Sequence, residues 1–97
     1  MTARVLVVDD EPLARVGIAR LVSAMPGFEL AGSAEDGESA VAAIEALQPD
    51  LVLLDLQMPG CDGFEVIRRV GPGRMPPVVF VTAYDEFAVA AFEQQAV

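Results

Sequence analysis

The chain has 97 residues, with fifteen acidic against six basic side chains and a formal net charge of −9. That length holds one domain with a single core, and the negative balance opposes direct contact with a phosphate backbone, so any role on DNA requires a basic partner domain. Histidine is absent, which excludes Ser-His-Asp hydrolysis, His-Glu-x-x-His zinc sites and any histidine general base.

In chain order, "RVLVV" (4–8) reads as a buried strand, continuous and β-branched, bounded by Asp9-Asp10. Pro12 starts a helix behind acidic Asp10 and Glu11; Leu13, Val16, Leu21 and Ala24 approximate its apolar face, and Pro26-Gly27 ends it. "FELAGSA" (28–34) alternates enough to be a second strand near a sheet edge. Asp36-Gly37-Glu38 opens a second helix, with Val41, Ile44 and Leu47 at helical spacing and a stop before Pro49. "LVLLD" (51–55) is a third strand, followed by a loop and a short helix over "FEVIRRV" (64–70). "PVVFVT" (77–82) is a fourth strand and "DEFAVAAFEQQ" (85–95) a fourth helix. This β-α alternation predicts an α/β fold with a parallel sheet, right-handed crossovers and helices on both faces.

Parallel strands bring their C-terminal ends to one edge, where open α/β sheets bind ligands. The first strand ends at Asp9-Asp10, the third at Asp55 and the fourth at Thr82, so three carboxylates and a hydroxyl converge on one crevice. Crowded carboxylates repel and require an opposite charge. An oxygen-only set suits Mg²⁺ better than zinc or copper. A carboxylate beside Mg²⁺ can attack a phosphoryl group, which makes Asp55 the candidate phosphate acceptor and Thr82 a candidate donor to a phosphate oxygen.

The motifs "VLVVDDE" (5–11), "DLVLLDLQMPGCDG" (50–63) and "VVFVTAYDE" (78–86) resemble the receiver domain of bacterial two-component response regulators, over nearly the whole chain. "DEPLAR" (10–15) and "FVTAYDEFAVAAFE" (80–93) are similar to the subgroup joined to LytTR-type DNA-binding domains. The resemblance implies a flavodoxin-like, CheY-like doubly wound sheet of strand order 2-1-3-4. It implies Asp55 as phosphoacceptor, Asp10 and Asp55 as direct Mg²⁺ ligands, Asp9 acting through water, and the backbone carbonyl of Gln57 as a further ligand. Thr82 and the peptide N–H of Ala83 would sense the phosphoryl group, while Pro59, Gly60 and Gly63 would shape the turn beside the acceptor. The implied partner is a histidine kinase.

The family pattern also has a lysine after a fifth strand and an aromatic switch residue just before it. This chain has no lysine and stops at "FEQQAV" (92–97), where that strand would begin, so residues 1–97 are expected to be a receiver incomplete at its C-terminus. With the fourth strand then at an unguarded edge, self-association or a homodimer is expected. No apolar stretch reaches the ~20 residues of a membrane span and no secretory signal is apparent. A single cysteine, Cys61, fits a reducing compartment, so the expected location is the cytoplasm. Cys61 reads as an inert loop thiol, Arg68 and Arg69 as a solvated helix face, and Phe87 and Phe92 as packing residues of the fourth helix.

Three functions fit these residues. The first is a phosphoacceptor switch, not a metabolic enzyme, acting on a DNA-binding output domain outside the chain. The second is a non-signalling interaction fragment lacking the lysine and the aromatic. The third is an Mg²⁺-dependent aspartyl-nucleophile phosphohydrolase, whose D-x-D-x-T pattern Asp55-Leu56-Gln57 does not meet.

Overall fold

The computed structural model describes residues 2–58 and 60–81. Four strands and three helices alternate: β1 (Ala3–Val8), α1 (Pro12–Ala24), β2 (Phe28–Ala34), α2 (Gly37–Leu47), β3 (Leu51–Asp55), α3 (Gly63–Val70) and β4 (Val78–Val81). The strands form one sheet in the order β2-β1-β3-β4, with every described pairing parallel. The predicted 2-1-3-4 order is therefore met, and the predicted strands and helices up to residue 81 appear within one residue at each end. The predicted fourth helix (85–95) lies outside the described residues, as do Phe87 and Phe92.

Each strand's alternation assigns its side chains to a face. Leu6 and Val8 of β1, Val52 and Leu54 of β3, and Phe80 of β4 join Ala40 and Ile44 of α2 and Val66 and Val70 of α3 in the larger core. Val5 and Val7 turn the other way, onto Val22 and Ile18 of α1. β1 sits between β2 and β3, and Val5 through Val8 are each at most 1% exposed. An unbroken apolar run rich in β-branched residues is what a strand covered on both faces needs.

The helix ends follow local chemistry. α1 starts with Pro12 in its first turn, and the Glu11 side chain accepts the Leu13 N–H at 3.4 Å. α2 opens on a reciprocal cap, in which Asp36 accepts the Ser39 N–H at 2.8 Å and Ser39 Oγ accepts the Asp36 N–H at 3.2 Å. It ends at Gln48 in the left-handed region (φ 47°), and Pro49 forbids continuation. α3 begins at Asp62, which accepts the Glu65 N–H at 2.9 Å, and stops at Gly71 (φ 99°). On its solvent face Arg68 and Arg69 both pair with Glu65.

The apolar face expected for α1 is corrected. Leu13 is 82% exposed, Leu21 66% and Val16 47%, and Ala24 is also exposed. The residues turned inward are Ala14, Ile18 and Val22, at successive four-residue steps on the opposite side of the helix. The segment PLARVGIARLVSA carries apolar residues almost all round, so its periodicity does not select a face. Docking on Val5 and Val7 does.

At the N-terminal edge of the sheet, Arg4 ties three segments together. Its N–H donates to the Asp50 carboxylate at 2.8 Å, its carbonyl accepts the Asp50 N–H at 2.8 Å, and its Nη1 donates to the Leu47 carbonyl at 2.7 Å. The guanidinium thereby satisfies a carbonyl left open at the end of α2.

Candidate functional site

The site is built where β1 and β3 end. Val8 pairs with Leu54 across the two strands, so the next residues, Asp9 and Asp55, emerge side by side at the C-terminal edge. Asp10 follows directly. Carboxylate oxygens of Asp9, Asp10 and Asp55 all lie within 4.8 Å of one another. Asp9 and Asp55 are each only 7% exposed, and Asp10 is the most open of the three. The expected convergence of the three carboxylates is present.

Both buried carboxylates use one oxygen in a local turn. Asp9 Oδ1 accepts the Glu11 N–H at 2.9 Å, and Asp55 Oδ1 accepts the Gln57 N–H at 3.0 Å. Each is a side chain closing a turn two residues onward, which lets the strand end abruptly with its polar groups satisfied. Burial raises the Asp55 carboxyl from the ordinary 3.8 to about 6; the negative charge of Asp9, and a hydrogen bond and negative charge from Asp10, push the same way, while the Gln57 N–H opposes them.

The segment after Asp55 is held close to the sheet. The Gly63 N–H donates to the Leu56 carbonyl at 3.2 Å, and a Cβ at Gly63 would stand 3.0 Å from the Asp55 carbonyl oxygen and 3.3 Å from Leu54 Cγ. Any side chain there would crowd β3, so glycine lets α3 start this close to the strand that carries Asp55. Gly60 takes a positive φ of 78° in the same loop. Cys61 is buried against the first residue of α2: a Cβ on Gly37 would fall 2.1 Å from its sulfur. The thiol thus packs the loop after β3 onto α2.

Thr82, Ala83 and Pro59, named from the sequence for phosphate sensing and turn shaping, lie outside the described residues. Two features escaped the sequence. One is the seating of Cys61 over Gly37. The other is Arg15, whose Nη1 donates to the Asp9 carbonyl at 2.9 Å. Neither carries a sequence signal, because the first joins residues distant in the chain and the second targets a backbone atom.

Three carboxylates with two of them buried form an oxygen-only donor set carrying excess negative charge. A hard divalent cation such as Mg²⁺ fits that chemistry, whereas zinc or copper would favour nitrogen or sulfur.

Comparison with known proteins agrees with this geometry. The model of the response regulator receiver domain family matches residues 5–97. The chain is 53% identical over 95 residues to the positive alginate biosynthesis regulatory protein of Pseudomonas aeruginosa, covering 96% of this chain and 38% of that protein. It is 41% identical over 93 residues to the transcriptional regulatory protein BtsR of Salmonella typhi, covering 96% of this chain and 39% of the relative. The crystal structure of the response regulator domain of Thermotoga maritima CheB superposes with a TM-score of 0.82 at 28% identity, over 100% of this chain and 75% of that one. The chain therefore spans well under half the length of these two curated relatives. With the 2-1-3-4 parallel sheet and the acidic cluster at its C-terminal edge, these matches place the chain among the receiver domains of two-component response regulators.

Proposed function

We propose that residues 1–97 act as a phosphoacceptor switch, in which Asp55 takes a phosphoryl group from the phosphohistidine of a partner kinase. The observation that carries this reading is the meeting of Asp9, Asp10 and Asp55 at the end of adjacent strands. Asp55 Oδ1 is engaged by the Gln57 N–H, so Oδ2 is the oxygen free to attack phosphorus. The O–P bond forms as the donor's N–P bond breaks, and the imidazole leaves with the electron pair of that bond and takes up a proton from solvent. Transfer needs Asp55 ionised; burial and the charges of Asp9 and Asp10 oppose that, and the Gln57 N–H favours it.

Asp10 and Asp55, with the Gln57 carbonyl and with Asp9 through water, are the residues that would hold Mg²⁺, which when bound neutralises charge on the phosphoryl oxygens. Thr82 and the Ala83 N–H are assigned to the phosphoryl oxygens, and Pro59, Gly60 and Gly63 to the turn beside them. The expected chemistry is slow and self-catalysed, as suits a signalling module rather than a metabolic enzyme. Relatives named as transcriptional regulators support a DNA-binding output. The −9 charge assigns that contact to another domain.

The test is to incubate the chain with acetyl phosphate and Mg²⁺ and map the adduct by mass spectrometry. One phosphoryl group on Asp55 is expected, and none in Asp55→Asn. Label retained at wild-type level in Asp55→Asn would overturn the assignment.

A further inference from the structure

Arg15 stands in the second turn of α1 and is half-buried. Its side chain reaches back across the start of the helix, and Nη1 donates to the Asp9 carbonyl at 2.9 Å. That carbonyl belongs to the first residue beyond β1, where no further ladder position is available to satisfy it. The other polar groups of Asp9 are also committed: its N–H donates to the Ala34 carbonyl at 3.1 Å, and its carboxylate accepts the Glu11 N–H. The β1–α1 turn is thus gripped from three directions, and the grip from Arg15 is the one that brings positive charge.

The bond falls on the peptide that joins Asp9 to Asp10. A peptide is planar, so fixing its carbonyl direction also fixes the line along which Asp10 leaves the turn. Asp10 is the most open of the three carboxylates; it meets the Asp55 carboxyl but, unlike Asp9 and Asp55, closes no turn onto a backbone N–H among the described residues. The direction in which its backbone leaves the turn therefore governs where its carboxylate stands. Among the described residues, Arg15 is also the one basic side chain hydrogen-bonded to this turn.

We propose that Arg15 is a positioning residue for the cation site: through its bond to the Asp9 carbonyl it orients the Asp9–Asp10 peptide, without touching the cation itself. The proposal rests on the phosphoacceptor reading, since that reading supplies the need for Mg²⁺. Residues that orient metal ligands change metal affinity by about 10–100-fold when removed, and an effect near tenfold is expected here.

The experiment compares wild type with Arg15→Met, which keeps the apolar stem and loses donor and charge, and with Arg15→Lys. Mg²⁺ is titrated calorimetrically at a temperature where circular dichroism shows each protein folded, and melting temperatures are recorded in chelator. The Mg²⁺ Kd should weaken about tenfold in Arg15→Met and recover in part in Arg15→Lys. A purely structural role would lower the metal-free melting temperature and leave Kd at the wild-type value; that result overturns the proposal. If Arg15→Met does not fold, Arg15→Gln is titrated in its place with the same two outcomes. Absence of Mg²⁺ binding by wild type would instead remove the phosphoacceptor reading on which the proposal stands.

Discussion

Asp55 owes its properties to position more than to type. The last residue of a buried strand, it keeps one oxygen in a turn with Gln57 and faces two further carboxylates. With its carboxyl raised to about 6, the protonated form is the one the fold prefers. Its contribution to metal-free stability is therefore fully present below the unfolded value near 3.8 and is lost as pH rises through about 6. A cation reverses this, because it favours the ionised form. Mg²⁺ should stabilise the chain by about 1.4 kcal/mol at ten times its Kd at pH 8, and progressively less as pH falls through about 6. Thermal melts across pH, with and without Mg²⁺, measure this, and Asp10→Ala should respond much less. Equal Mg²⁺ shifts in wild type and Asp10→Ala would exclude a site built on Asp10.

Among the elements, α1 separates what periodicity can decide from what packing decides. Its buried Val22 and half-buried Ala14 and Ile18, and its exposed residues Leu13, Val16 and Leu21, are all apolar, so a helical repeat fits either side. Val22→Ala should cost about 2 kcal/mol through lost burial and a residual cavity, whereas Leu13→Ala should change stability by less than about 0.5 kcal/mol. Urea melts of the two variants provide the comparison, and equal losses would contradict the observed face. The strands were easier to read, because each apolar run ends at a charge or a turn residue: Val8 before Asp9, Leu54 before Asp55. The parallel arrangement then follows from the intervening helices, and the acidic cluster follows from the arrangement. Arg15 was not legible, since a bond to a backbone carbonyl leaves no pattern in spacing. Nor was Cys61, whose packing partner Gly37 lies on another element and only the folded chain brings it near.

At the scale of the whole molecule, the two edges of the sheet are built on opposite principles. The C-terminal edge gathers like charges within 4.8 Å. At the N-terminal edge Arg4 joins β1, the end of α2 and the residue before β3 by hydrogen bonds of 2.7 to 2.8 Å. Under the proposed switch the acidic edge would have to move without the domain coming apart, and a fastening at the far edge suits that demand. The consequence of Arg4 is a gradient of local opening. Amide protons of β1 and β3 nearest Arg4 and Asp50 should exchange with solvent only through global unfolding, while those nearest Asp9 and Asp55 should exchange through smaller, cheaper fluctuations. Native-state exchange resolved by residue would trace that slope, and Arg4→Ala should flatten it by letting the fastened edge fray as readily as the acidic one.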